Sequence, residues 1–325
     1  MTVRSFTLAL ACLVGGGVLS MSQLAQAQDF PNRPIRVVTN QSAGGLSDVF
    51  MRAAAEQLHK KLGQPVVIEN RPGGAGNIGA RACQDAQPDG YTICALNSNA
   101  IVFNPHLFKK LPFDVAAIQP VTNMFHILQT IAVDAKLNVN TMDELIALSK
   151  AKPGTMNYST PIYAGDLYMQ RMQKEKGADW VRVPFRGGGE AVTGVLSGTT
   201  PITIIGEGNL ISHVKADTIR MLVLINNIRS KNFPKVPTFK DIGYDGPAAQ
   251  AWFGLFVPKG VPKAIVDRYA KAMNEIINEP AFLDRNLTSR SLIPATNSPE
   301  EFAKEIAQAS KEGAQLVEDA GVPKI

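Results

Sequence analysis

Short apolar runs alternate with amphipathic stretches along almost the whole chain. Ile35-Arg-Val-Val-Thr39, residues 66–69 and residues 91–96 read as strands. Between the first two, Val49, Ala53, Leu58 and Leu62 recur at helical spacing and predict a helix over residues 48–61, ended by Gly63. A second helix is expected over 78–86. The same grammar returns later. Residues 142–151 predict a helix with Thr141 as its N-cap, and strand 157–159, helix 166–176, strand 180–185 and helix 190–197 follow, then strands 201–205 and 219–225. The end of the chain is helical over 263–278, 281–289 and 299–320. This alternation predicts an α/β protein with mostly parallel sheets flanked by helices. Two long apolar runs, 125–133 and 252–257, separate an early, a middle and a late block, which suggests two crossings between two lobes. Residues 28–126 with 253–325 would form lobe 1, and 127–252 lobe 2.

The first twenty-seven residues break this pattern. Arg4 is the only charge before Asp29, residues 6–21 are apolar, and Ala25-Gln-Ala27 supplies small residues for a cleavage site. This predicts a signal peptide over residues 1–27, cut between Ala27 and Gln28, and a periplasmic location. The clean apolar run is shorter than the roughly 20 residues a membrane span needs. Export changes the reading of Gly74-Ala-Gly-Asn-Ile-Gly79, which fits GxGxxG. Little dinucleotide is available outside the cytoplasm, and Asn70-Arg-Pro-Gly73 separates the preceding strand from the motif. The stretch is expected to be architectural.

Loss of Arg4 lowers the formal charge of +5 by one, to a mild excess with no dense basic cluster, so nucleic acid is not the indicated partner. Cys83 and Cys94 remain after cleavage, in a predicted helix and the following strand. A disulfide and a pair of buried thiols are both open readings. The four histidines, His59, His106, His126 and His213, show no metal-ligand spacing, and there is no GxSxG elbow.

In open α/β sheets, ligands lie beyond the carboxyl ends of strands, against helix N-termini whose free N–H groups favour anions. Gln41-Ser-Ala-Gly-Gly-Leu-Ser47 followed by Asp48 is therefore a candidate carboxylate cradle, with Gly44 and Gly45 permitting close backbone approach and Ser42 and Ser47 adding hydroxyls. A plain turn capped by Ser47 or Asp48 is the competing reading. Asn97-Ser-Asn99 is a polar cluster beyond another strand. From the middle block, Ser159, Thr160, Pro161 and Tyr163 make a similar offer, as do Arg186, Gly187 and Gly188. Arg186 has the fork geometry for a carboxylate. Glu207, between Gly206 and Gly208, either faces the cleft or caps a turn.

Several of these segments occur together in a familiar order: Pro34-Ile-Arg-Val-Val38, Ala43-Gly-Gly-Leu-Ser-Asp48, Gly63-Gln-Pro-Val-Val-Ile-Glu-Asn-Arg-Pro-Gly73, Gly76-Asn-Ile-Gly-Ala80, Pro88-Asp-Gly-Tyr91, Lys110-Leu-Pro-Phe-Asp114, Val183-Pro-Phe-Arg-Gly187 and Trp252-Phe-Gly-Leu255. The chain closely resembles the Bug receptors, periplasmic solute-binding proteins of tripartite tricarboxylate transporters (the TctC family), over essentially all of its mature length. The resemblance implies a two-lobe periplasmic-binding fold of type II. It implies binding rather than catalysis, no cofactor, a small carboxylate ligand, and membrane permease subunits as partners. A monomer suits a receptor that must diffuse and dock. The loop matching 41–48 would hold a ligand carboxylate, and loops matching 158–165 and 185–190 would close on its far end. The first loop here is more polar and one residue longer than the usual pattern, and Thr160-Pro-Ile-Tyr163 is bulkier. With Tyr163, Phe125 and Ile162 as apolar walls, these changes suit an aromatic dicarboxylate such as terephthalate. An aliphatic di- or tricarboxylate is the alternative, and an exported hydrolase on the same scaffold a more distant one.

Overall fold

The computed structural model describes residues 30–161, 163–185, 187–244 and 251–325. The segment read as a signal peptide lies outside them, as do Ile162 and Arg186. The chain opens with β1 (Ile35–Thr39), α1 (Leu46–Leu62), β2 (Val66–Asn70), α2 (Asn77–Gln84) and β3 (Thr92–Asn97). β1 pairs parallel with both β2 and β3. Gly63 ends α1 in the left-handed region at φ 77°, its N–H donating to His59 O, as a helix C-terminus requires. A disulfide joins Cys83 of α2 to Cys94 of β3 across a Cα separation of 5.9 Å.

Close packing against Asn40 accounts for the glycine motif. A Cβ on Gly76, which lies at φ +92°, would stand 2.6 Å from Asn40 Nδ2, and one on Gly79 would stand 2.6 Å from Asn40 Cβ. The glycines let α2 start in contact with the end of β1. They shape the turn behind the first loop.

A turn of π-helix, Asn99–Phe103, and the short α3 (Asn104–Leu107) follow β3. β4 (Ile118–Ile127) and β5 (Gln129–Asp134) come next, separated by Leu128 alone. The sequence suggested one crossing strand over 125–133. The structure cuts it in two, because Leu128 O accepts from Glu207 N and Gln129 O from Ile225 N, which draws the chain into a second sheet. That sheet adds α4 (Met142–Ala151), β6 (Asn157–Ser159), α5 (Tyr163–Lys176), β7 (Val181–Val183), α6 (Gly188–Leu196), β8 (Ile202–Gly206), α7 (Ile211–Lys215) and β9 (Ile219–Leu224). Thr141 caps α4 as its sequence predicts, accepting from Glu144 N at 3.1 Å. β10 (Ala251–Pro258) returns to the first sheet, followed by α8 (Lys263–Asn278), α9 (Pro280–Asn286), β11 (Leu292–Pro294) and α10 (Pro299–Ala320).

The sheets run β11-β4-β10-β3-β1-β2 and β7-β6-β8-β5-β9. They are mixed, yet most strands of each run one way, as the alternation of strands and helices predicts: β2, β1, β3 and β4 in the first, β7, β6, β8 and β9 in the second. β10 runs antiparallel to β3 and β4, and β5 antiparallel to β8 and β9. Strands that carry the chain between two sheets enter against the direction set by the strand–helix–strand units.

Aromatic packing fixes α1 on the first sheet. Phe50 is fully buried and meets Phe125 edge-on at 4.7 Å and Phe282 at 5.7 Å, an arrangement ring quadrupoles favour. Phe125 is thus core rather than a cleft wall. Among the described residues no helix is long and apolar enough to cross a membrane.

Candidate functional site

A cavity of about 330 Å³ lies between the two sheets, at the small end of the roughly 300–1,000 Å³ usual for small-molecule sites. From the first sheet it is lined by residues 41–47, by Asn97 at the end of β3 with Ser98 and Asn99 beyond it, by Ile127 at the end of β4, and by Ala251, Trp252 and Phe253 at the start of β10. From the second sheet come Pro161, residues 187–190, Ile205, Gly206 and Asn209.

Two helices point their N-termini at this cavity from opposite sides. Gly45 is the N-cap of α1 and Gly187 of α6, and neither supplies a side-chain oxygen to the first turn. The first N–H groups of a helix have no partner within it. Here those of Leu46 and Ser47 on one side, and of Gly188 and Gly189 on the other, belong to cavity-lining residues. Gly44 reaches its place with φ 81°, a conformation that costs a side-chain-bearing residue about 1–2 kcal/mol. Among the described lining residues the only formal charge is that of Glu190. The partial positive charge of two helix N-termini at one cavity is an arrangement that favours an anion.

Asp48 does not line the cavity. It is buried beneath the first loop, accepting from Gly44 N at 2.9 Å, Arg52 Nε at 2.9 Å and Asn70 Nδ2 at 2.9 Å. Burial pushes its carboxyl up, but the bonds from Arg52, Asn70 and Gly44 outweigh this and hold it below the usual aspartate range.

Of the other sequence candidates, Gln41, Ser42, Ala43, Gly44, Gly45, Ser47, Asn97, Ser98, Pro161, Gly187 and Gly188 line the cavity. Four more do not. Ser159 donates to Thr203 Oγ1 at 3.1 Å, tying β6 to β8 inside the second sheet. Thr160 is fully buried. Tyr163 turns its ring to Phe108 at 6.4 Å, with Arg182 above it at 5.5 Å, so it supplies no cleft wall. Glu207 is buried, its Oε1 accepting from Ser230 at 2.7 Å and Ser291 at 2.6 Å. Arg186 lies outside the described residues.

Sequence reasoning missed the apolar band of Ile127, Ile205, Ala251, Trp252 and Phe253. It also missed Asn209, whose Nδ2 donates to Gly206 O at 3.1 Å. Trp252 and Phe253 sit in an apolar run that the sequence did flag as a crossing. Their place in the wall follows only from the register Phe253 to Asn97. Asn99 reaches across the cleft, its Nδ2 meeting Pro161 O at 3.5 Å.

Residues 50–322 match the tripartite tricarboxylate transporter family receptor, TctC. The chain belongs to this family. A UPF0065 protein of Bordetella bronchiseptica is 34% identical over 282 residues, which is 86% of this chain and 83% of that relative. Among solved structures, a periplasmic transporter superposes with a TM-score of 0.82 at 30% identity, covering 89% of this chain and 97% of its own. An R. palustris protein solved with adipate gives 0.85 at 23% identity, covering 91% and 100%. MatC from Rhodopseudomonas palustris with bound malate gives 0.80 at 24%, covering 89% and 100%. The fold is thus that of periplasmic binding proteins, and the chain is a solute-binding receptor of the TctC type. Among the described residues no three His, Cys, Asp or Glu side chains gather as a metal site would require.

Proposed function

We propose that this TctC receptor, exported through its N-terminal segment to the periplasm, captures a small dicarboxylate between two lobes and delivers it to the membrane subunits of a tripartite transporter. The lobes are residues 28–126 with 253–325, and 127–252. The observation that carries this reading is the pair of helix N-termini, α1 and α6, facing one cavity from opposite sheets without side-chain caps. A ligand with an anionic group at each end satisfies both, and closure of the lobes brings the second end into reach. Each carboxylate needs donors once it leaves water, and both walls offer them from the backbone.

Between the two anion ends runs the apolar band of Ile127, Ile205, Trp252 and Phe253. A flat apolar spacer gains from such packing, so terephthalate is the favoured ligand. The adipate and malate bound to the structural neighbours support the second reading, an aliphatic dicarboxylate.

Thermal unfolding in the presence of terephthalate, adipate, malate and citrate tests the reading. A ligand at a hundred times its Kd stabilises by about 2.7 kcal/mol, a shift of roughly 4 °C for a chain of this size. Terephthalate should give the largest shift. A larger shift from adipate or malate would move the ligand to the aliphatic class. Shifts from a neutral sugar or an amine, with none from any carboxylate, would overturn the proposal.

A further inference from the structure

Asp48, Asn70 and Arg52 lie outside the cavity lining, yet they are connected to it through the backbone. Asn70 Nδ2 donates to Gln41 O at 3.0 Å and to Asp48 Oδ1 at 2.9 Å. Asp48 Oδ2 accepts from Gly44 N at 2.9 Å. Arg52 closes the set from outside, with Nε on Asp48 Oδ2 at 2.9 Å, Nη2 on Asp48 Oδ1 at 3.1 Å, and Nη2 on Asn70 Oδ1 at 3.1 Å. Both ends of the segment 41–44 are thereby tied to one buried carboxylate and one carboxamide.

We propose that these three side chains form a charge-balanced brace that holds the first loop in its anion-binding shape before any ligand arrives, and that Asn70 and Asp48 are positioning residues for that loop. The inference rests on the dicarboxylate reading only for the identity of the anion.

The charge is the part that a merely structural tie would not need. The Asp48 side chain is 2% exposed and that of Arg52 is 53% exposed. A buried carboxylate directly behind an anion cradle repels the anion it is meant to help bind. Arg52 cancels that charge while leaving Asp48 free to accept from the Gly44 N–H. The brace thus fixes the loop without making the site negative. It also gives a role to the Glu69-Asn-Arg-Pro-Gly73 signature, none of whose residues lines the cavity: its asparagine is the crosspiece behind the wall.

Three variants and two measurements test this. Arg52→Gln should weaken binding of terephthalate or adipate about tenfold or more, since it leaves the buried charge unbalanced. Adding Asp48→Asn should restore part of that affinity: the buried charge is gone and the amide oxygen still accepts from Gly44, although its Nδ2 then faces the Asn70 Nδ2 donor and that bond is lost. Two independent structural lesions would instead add, so a double variant that binds no better than Arg52→Gln contradicts the brace. Asn70→Ala should speed amide exchange at residues 41–47 of the ligand-free protein, with the melting transition still cooperative. Unchanged exchange there would also overturn the proposal. Exchange needs no ligand, so if no dicarboxylate binds the wild type the functional reading fails while the brace is still judged.

Discussion

The two helix N-termini that face the cleft are built alike and held differently. Gly45 ahead of α1 and Gly187 ahead of α6 both leave their first turns uncapped. The first sits on a loop tied down by Asp48 and Asn70 and on a helix locked by Phe50 against the first sheet. The second follows a three-residue strand and opens with three glycines. Of these, Gly187 and Gly189 have nothing within 4 Å of an added Cβ, and only Gly188 packs closely, on Asn209. On the dicarboxylate proposal the first end is the anchor and the second the jaw that closes on the ligand. Preorganisation lowers the ordering cost of binding, so the first loop should set affinity for the shared carboxylate. The second should set which far end is accepted.

The strongest way to break this contrast is to loosen the anchor from beneath. Phe50→Ala removes a fully buried ring that meets Phe125 and Phe282, and should cost about 3–5 kcal/mol of stability, read by denaturant unfolding. A loss under 1 kcal/mol would mean α1 is not held as described. Next in size, Gly44→Ala puts a side chain at φ 81°. It should weaken dicarboxylate binding by about 1–2 kcal/mol, or five- to thirtyfold by calorimetry, with little change in fold. The matching change in the jaw, Gly189→Ala, meets open space at an ordinary φ and should shift affinity by less than about threefold. Equal losses at Gly44 and Gly189 would erase the distinction between anchor and jaw.

A smaller effect follows from pH. Asp48 has its carboxyl held below the usual aspartate range in the folded protein. A lowered carboxylate contributes stability that is fully present above its unfolded pKa near 3.8 and is lost as pH falls through the folded value. Loop protection from amide exchange should therefore be flat from pH 7 to 5 and fall only below about pH 4. Asp48→Asn should remove that acid dependence. Loss of protection already at pH 5–6 in the wild type would assign the control to a different group.

The sequence made the anchor legible and the jaw less so, for a physical reason. A strand, two glycines and an amphipathic helix predict a backbone cradle wherever the loop ends up, and residues 41–47 do line the cavity. Polarity near a loop does not say which side of it a residue occupies. Asp48 therefore read as a ligand contact when it faces inward to Asn70 and Arg52, and Glu207, open between cleft and turn cap, is buried against Ser230 and Ser291. The walls were least legible. Tyr163 and Phe125 were plausible by size, but which aromatic faces a cleft is decided by strand register and helix packing. The register of β10 on β3 and β4 brings Trp252 and Phe253 there. The break at Leu128 is likewise invisible in an apolar run, since only hydrogen bonds from Glu207 and Ile225 divert it.

The central claim is that carboxylates are held by backbone N–H groups at two opposed helix ends. Titrating terephthalate into isotopically labelled protein while following each backbone amide by NMR tests it most directly. The account predicts large downfield shifts at Leu46 and Ser47 and at Gly188 and Gly189, saturating together with one dissociation constant. Saturable binding that leaves both sets of amides unmoved, or moves only one end, would contradict it.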